Sequence, residues 1–192
     1  MTLVALVVLS LAAAPAPVVA DSACPVLLPN DVPVQGRQSP LDSLNFTVAK
    51  STVKLCYGRP SARGRTMIGG KAVPYGKLWR TGANEPTVIF TPVGLEIAGV
   101  KVAPGKYSLY SVPGEKEWEI IVNRSTSQWG HENSYTKEVE AQEVGRGKAP
   151  AEKLSAPVET FTIAPSPASG ETQSLVLTWE KTRVAIPLKA TP

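Results

Sequence analysis

The residues best suited to chemistry lie in one basic segment, residues 57–86, with the sequence YGRPSARGRTMIGGKAVPYGKLWRTGANEP. This basic segment holds six Lys or Arg residues and no acidic residue before Glu85. The planar guanidinium of arginine can donate two parallel hydrogen bonds to a carboxylate or phosphate. We therefore predict that the segment binds a small anionic or carbohydrate ligand. The candidate ligand-binding residues are Arg59, Arg63, Arg65, Tyr75, Trp79, Arg80, Asn84 and Glu85.

The positive charge of the chain is local. The net charge is +4, yet residues 43–84 contain eight basic and no acidic residues, whereas residues 85–192 contain eleven basic and thirteen acidic ones. Such a surface attracts phosphate, carboxylate, acidic glycan or lipid headgroups. The alternative interpretation is that the arginines pair with carboxylates of their own domain and form an internal polar network. A nucleic acid partner is not expected, because few aromatic residues interleave with the arginines.

Two adjacent residues of the basic segment, Trp79 and Arg80, should point in opposite directions if they lie on a strand. One of them would then fill the core while the other faces a groove. If Arg59, Arg65 and Arg80 converge, each charge-assisted hydrogen bond to a ligand would contribute roughly 1.5–3 kcal/mol. A few such bonds suffice for a small anion.

The candidate catalytic motifs fit the sequence less well than a binding site does. Ser51 and Lys54 match Ser-x-x-Lys, but the alternation there predicts a strand, on which positions three apart face opposite sides. His131 is the sole histidine, and Glu85 or Glu132 could orient it as a general base. The alternatives to a binding domain are thus a hydrolase using Glu85 and His131, or a purely structural envelope protein. Two cysteines and one histidine exclude a Cys/His-rich zinc site, and we expect no metal or cofactor.

The elements that must hold these residues are β-strands. Runs rich in β-branched and aromatic residues recur, bounded by turn signals, over residues 52–58, 87–91, 106–112, 117–123, 159–163 and 174–179. This spacing predicts an all-β fold, a single antiparallel β-sandwich or partly open barrel, over residues 41–190. Residues 175–180 and 183–189 resemble a hairpin that turns at Lys181-Thr182, and residues 135–145 fit either a strand or a short helix.

The N-terminus predicts export. Residues 1–20 carry no charge, and their apolar run of about a dozen residues is too short to span a bilayer. Val18 and Ala20 place small residues where a signal peptidase cleaves. We expect a signal peptide over residues 1–20, an extended linker or arm over residues 21–40, and a periplasmic or extracellular domain without a transmembrane segment.

Export would place the two cysteines in an oxidising compartment. In an oxidising compartment Cys24 and Cys56 could form a disulfide that ties the arm to the sheet. A lipid anchor on Cys24 is the weaker alternative, because Asp21-Ser22-Ala23 lacks the leucine usually found three positions upstream. The sequence leaves the oligomeric state open.

Several blocks of the chain resemble a known family. They include WRTGAN at residues 79–84, PGEKEW at residues 113–118 and LTWEKTRVAIPL at residues 177–188. These blocks resemble a family of secreted bacterial proteins catalogued as domain of unknown function 2911, and the similarity runs from about Ser39 to Leu188. The resemblance implies a single exported β-rich domain and no particular activity.

Overall fold

A computed structural model describes residues 23–26, 36–169 and 172–192. The expected signal peptide and residues 21–22 and 27–35 of the expected arm lie outside this range. Within the described residues, no helix has the length and apolar character needed to cross a membrane.

The regular secondary structure of the described chain is almost entirely β, as predicted. The strands are β1 (Leu41–Val48), β2 (Ser51–Gly58), β3 (Thr87–Thr91), β4 (Leu95–Ile97), β5 (Val100–Val102), β6 (Gly105–Val112), β7 (Glu117–Asn123), β8 (Glu143–Pro165) and β9 (Thr172–Ala190). Between β7 and β8 lie a short 3-10 turn (Glu132–Ser134) and one turn of α-helix, α1 (Lys137–Glu140). The ambiguous stretch 135–145 therefore contains both a helical turn and the start of a strand.

All nine strands belong to one antiparallel sheet in the order β1-β2-β3-β6-β7-β8-β9-β4-β5. The first part of β8 pairs with β7 and its later part with β9, while the end of β9 pairs with β4. The two long strands thereby carry the sheet over a single apolar core, as in a sandwich. The sheet is not closed into a barrel, since β1 and β5 stand at its two ends.

Alternation along the strands creates the core. In β2, Val53, Leu55 and Tyr57 are buried inside it, as their period of two predicts. At its centre an aromatic cluster forms, with ring centroids 5.2–6.0 Å apart, and such contacts each add about 0.5–1.5 kcal/mol beyond area burial. The cluster consists of Trp79, Trp118, Phe161 and Trp179.

The predicted hairpin at Lys181-Thr182 is wrong. Residues 175–180 and 183–189 are parts of one continuous strand, β9, whose partner is β8. The turn that joins these strands lies further upstream, where Ser166 N donates to Ser174 O. A polar pair between two apolar runs resembles a turn in composition, but the favoured two-residue hairpin turns need a positive φ at the first turn residue or at both. Neither Lys181 nor Thr182 has a positive φ.

The hairpin of β4 and β5 packs closely against β8. Its turn residues, Ala98 and Gly99, have φ of 49° and 88°, as a tight hairpin turn requires. A Cβ atom added to Gly147 of β8 would overlap the Ala98 carbonyl oxygen. The hairpin can therefore approach β8 only because position 147 has no side chain.

We predict that Gly147→Ala lowers the free energy of unfolding by about 3 kcal/mol, because two backbones would have to separate. Gly145→Ala, on the same strand, is the matched control: its Cβ would meet only a methyl group of Val100, at 3.2 Å. Urea denaturation of the two variants provides the measurement. Equal losses in both would contradict this account of the packing.

The outer face of β6 is covered by the segment that follows β7. Ser108 Oγ donates to Ser125 O at 2.7 Å, and Gln128 Nε2 donates to the Tyr110 hydroxyl at 3.0 Å. The rings of Tyr110 and Tyr135 meet edge to face at 4.6 Å. Burial raises the pKa of Tyr110 to about 12, against the opposing effect of the Gln128 hydrogen bond.

This raised pKa predicts a loss of stability at high pH. The folded protein retains the Tyr110 proton to a higher pH than the unfolded chain does, so the stabilisation is complete below the ordinary pKa of 10 and declines as pH rises toward 12. Tyr110→Phe should reduce the fall in unfolding free energy between about pH 8 and about pH 11 by about 1 kcal/mol. Urea denaturation across this range tests it, and an unchanged pH dependence in the variant would disprove it.

Candidate functional site

An open cleft of about 670 Å³ lies beside the basic segment. Two of the eight residues predicted to bind ligand, Arg65 and Tyr75, line it. We call it the Tyr75 cleft. Its lining residues are Ala62, Gly64, Arg65, Thr66, Ile68, Tyr75, Gly114, Glu115, Glu152, Lys153, Pro157, Val158, Glu159, Glu180, Lys181 and Thr182.

The cleft forms where β8 separates from β9. Pairing stops at Lys153 of β8, opposite Thr182, and resumes at Val158, opposite Glu180. Residues 154–157 therefore bulge out of the ladder opposite a single residue of β9. Irregularities of this kind re-aim side chains and are frequent beside functional sites.

The start of the basic segment pairs with the later part of β8. Ala62 N donates to Glu159 O at 2.9 Å, and Phe161 N donates to Pro60 O at 2.8 Å. These bonds satisfy backbone groups on the edge of β8 opposite β9, beyond the part of the strand that β7 pairs with. They also fix the basic segment at the edge of the cleft.

Glu180 anchors the next part of the same segment. Its carboxylate accepts hydrogen bonds from the backbone N–H groups of Met67, at 3.1 Å, and Ile68, at 2.8 Å. Its φ of 49° is in the left-handed region, which is uncommon for a non-glycine residue. Sequence reasoning missed this role, because Glu180 stands in a stretch that resembles a turn.

Tyr75 presents an aromatic surface to the cleft. Its side chain is 42% exposed, and the edge of its ring packs on the backbone of Gly69. A Cβ atom added to Gly69, where φ is 74°, would come within 2.5 Å of the Tyr75 ring. The remaining surface combines an apolar ring with a polar tip, which suits the C–H face and hydroxyl groups of a sugar.

Arg65 faces the cleft with part of its guanidinium unused. Nε donates to Ala62 O at 3.0 Å and Nη2 donates to Ser61 O at 3.2 Å. Both acceptors are neutral carbonyl oxygens, and Nη1 bonds to none of the described residues. The side chain is thereby oriented while its charge stays available to a ligand.

Arg59 and Arg63 instead contact the protein itself. Arg59 Nη1 pairs with Asp42 at 3.1 Å, and its Nε donates to Phe161 O at 3.4 Å. Arg63 donates to the side-chain and backbone oxygens of Gln38 at 2.9 and 3.0 Å. These contacts agree with the internal network that the sequence left as an alternative.

Asn84 and Glu85 hold the N-terminal arm. Arg37 Nη1 lies 2.9 Å from both carboxylate oxygens of Glu85, and the two side chains are only 3% and 2% exposed. Asn84, with a φ of 65°, donates from Nδ2 to Ser39 O at 2.9 Å. Sequence reasoning missed Arg37, because the proline-rich arm has no periodicity from which a buried position could be predicted.

Trp79 and Arg80 point in opposite directions, as predicted. Trp79 is in the aromatic cluster of the core, whereas Arg80 Nη1 donates to Gly130 O at 3.3 Å and lies 3.5 Å from Glu132. His131 is half exposed, and its Nδ1 accepts a hydrogen bond from Asn133 N at 3.2 Å. The structure thus gives Glu85 and His131 separate partners.

The predicted disulfide between Cys24 and Cys56 is present, with Cα atoms 5.7 Å apart. It holds residues 23–26 of the arm against Val88 and Phe90 on the outer face of β3. Because its sulfur is bonded to Cys56, Cys24 has no thiol left to carry a lipid. No group of His, Cys, Asp or Glu side chains suited to a metal ion occurs in the part of the chain that the structure describes.

Comparison with known families gives a match over most of the chain. A family described as "Protein of unknown function (DUF2911)" matches residues 39–188. This range contains the whole Tyr75 cleft, together with the Asn84 and Glu85 that hold the arm. Searches of the curated proteins and of the solved structures find no match.

The buried Arg37–Glu85 pair can be tested by a double-mutant cycle. Arg37→Met should lower the free energy of unfolding by about 3–5 kcal/mol, because it takes two hydrogen bonds from a buried carboxylate. Adding Glu85→Gln should restore part of that loss, so the double variant is more stable than the sum of the single effects. Urea denaturation measures all three variants, and strict additivity would show that the two residues do not interact.

Proposed function

The chain belongs to the DUF2911 family of proteins of unknown function, and we propose that it is a non-catalytic binding domain for a small anionic or carbohydrate ligand, held in the Tyr75 cleft. One observation carries the proposal: an exposed aromatic ring and a guanidinium with an unused N–H group line the same opening. The volume of about 670 Å³ lies within the range of small-molecule sites, about 300–1,000 Å³.

A binding role suits the cleft better than catalysis. Its lining includes no histidine or cysteine, and the two residues of the hydrolase hypothesis, Glu85 and His131, lie outside it. Most of its carboxylates are engaged by neighbouring protein groups. A small number of fixed polar groups around an apolar surface is the usual composition of a ligand site.

The internal contacts of the other arginines support different roles for different arginines of the basic segment. Arg59, Arg63 and Arg80 hold neighbouring parts of the domain, and Arg65 is left to meet the ligand. The structural and binding interpretations of the segment thus apply to different residues.

An exported location, periplasmic or extracellular, belongs to the same proposal. The disulfide between Cys24 and Cys56 supports it, because disulfides persist in oxidising compartments and are rare in the cytosol. An extracytoplasmic domain would meet glycans and small anions from the surroundings of the cell.

Binding can be tested by thermal shift and calorimetry of the mature chain, residues 21–192. The compounds are phosphate, citrate, uronic acid oligomers and neutral sugar oligomers. A compound that stabilises the wild-type protein should bind to Arg65→Ala with an affinity at least about tenfold lower, as the loss of a charge-assisted hydrogen bond predicts. Tyr75→Ala should weaken it as well. Arg124→Ala removes an exposed arginine remote from the cleft and should leave binding unchanged.

A second pair of variants separates the position of the Tyr75 ring from general destabilisation. Gly69→Ala and Gly76→Ala impose the same backbone strain, since φ is 74° and 70°, but only the first places a Cβ against the ring. We expect Gly69→Ala to weaken binding and Gly76→Ala to preserve it. The absence of binding by every compound, or equal binding by Tyr75→Ala and wild type, would disprove the proposal.

A further inference from the structure

We propose that the ligand of the Tyr75 cleft is an acidic carbohydrate, a sugar ring that carries a carboxylate. This inference rests on the proposed function and narrows it. Most carboxylates of the cleft are engaged by the protein, whereas its cations are open to a ligand.

Most carboxylates of the cleft are already occupied. Glu152 pairs with Arg183 at 2.8 Å, and a carboxylate oxygen of Glu159 accepts the backbone N–H of Arg63 at 2.7 Å. Glu180 accepts two backbone N–H groups of the basic segment. Each of these side chains is therefore held by the protein and is poorly placed to act as a principal ligand contact.

The cations of the cleft are open by comparison. Lys153 and Lys181 are exposed and form no ion pair with any residue in the described ranges, and Arg65 bonds only to neutral carbonyl oxygens. Glu115 is the one lining carboxylate that neither an ion pair nor a hydrogen bond engages in the same ranges. Three cations and one carboxylate are thus left open to a ligand, although the three positive and four negative formal charges of the lining sum to −1.

The bulge of β8 explains why two lysines meet there. Lys153 is the last paired residue before the bulge, and Lys181 is the single residue of β9 opposite it. Both lysines therefore lie beside the opening, where the ladder between β8 and β9 is interrupted. Two ammonium groups and one guanidinium around one cleft favour a carboxylate, which an isolated surface lysine would bind only weakly.

The apolar part of the cleft lining favours a ligand with an apolar surface over a free anion. The ring of Tyr75 and the apolar side chains of Ile68, Pro157 and Val158 lie in the same cleft as the cations. An inorganic anion would leave this apolar surface unused, and a neutral sugar would leave the three cations unused. A sugar acid uses both, with its ring against Tyr75 and its carboxylate toward the cations.

The test compares three probes by isothermal titration calorimetry with the mature chain: an oligomer of galacturonic or glucuronic acid, the methyl ester of that oligomer, and citrate. The ester keeps the sugar rings and removes the charge, while citrate keeps the charge and lacks the rings. We expect the acid to bind best, at least about tenfold more tightly than its ester. Its affinity should also fall as salt concentration rises.

Two lysine variants assign the effect to the cleft. Lys153→Ala combined with Lys181→Ala should weaken the acid at least about tenfold and leave the ester unaffected. Lys101→Ala, an exposed lysine of β5 outside the cleft, should change neither. Thermal unfolding of each variant checks that the fold is retained.

The outcomes separate the two proposals. Equal binding of acid and ester would overturn the acidic carbohydrate while leaving a carbohydrate site. Binding of citrate without binding of either sugar would overturn it while leaving an anion site. Failure of all three probes, in a chain that also binds nothing from the wider set of compounds, would overturn both.

Discussion

The separation of β8 from β9 is the constraint on which the site depends. A buried strand must pair its backbone groups, and the later part of β8 has lost β7 after Pro150 and departs from β9 after Lys153 and after Val158. On the edge that β7 leaves, residues 60–62 supply hydrogen bonds to β8, which fixes the loop against the sheet. Glu180 of β9 then extends the attachment to residues 67–68. The cleft lies between this loop and β9, beside the bulge.

The concentration of positive charge follows from the same arrangement. A segment that crosses from the arm to the far side of β8 passes many carbonyl oxygens and carboxylates, and its arginines bind to them. Arg59 reaches Asp42 and Phe161 O, and Arg63 reaches Gln38. Arg65 is the exception, since among the described residues its hydrogen bonds reach only its own loop. The local excess of charge therefore comes from arginines that hold the domain and one that faces the cleft, interleaved along one loop.

Local patterns of the sequence determined much of the fold and little of the site. The strands β3 and β7 were predicted to the residue, because alternating β-branched and aromatic runs bounded by turns carry that information locally. The continuity of β9 was missed, because Lys181 and Thr182 are polar like turn residues although they lie within a strand, where they line the cleft. The bulge at residues 154–157 depends on pairing with residues far away in the chain, so no local pattern could reveal it. Arg37 was missed for the same reason: its partner, Glu85, lies 48 residues away.

The N-terminal arm and the Tyr75 cleft share the loop that lies between them. Pro40 O accepts the backbone N–H of Arg59, and Gln38 accepts from Arg63, so the arm braces the basic segment just before it enters the cleft. The arm is itself held by the disulfide of Cys24, by the buried Arg37 and by the bond from Asn84 to Ser39 O. An unfolded arm would release one side of the loop and leave only the contacts with β8 and Glu180 to position Arg65. The disulfide and the buried ion pair thus limit the motion of the loop that carries the cleft-facing guanidinium, which would lower the entropic cost of the binding that we propose.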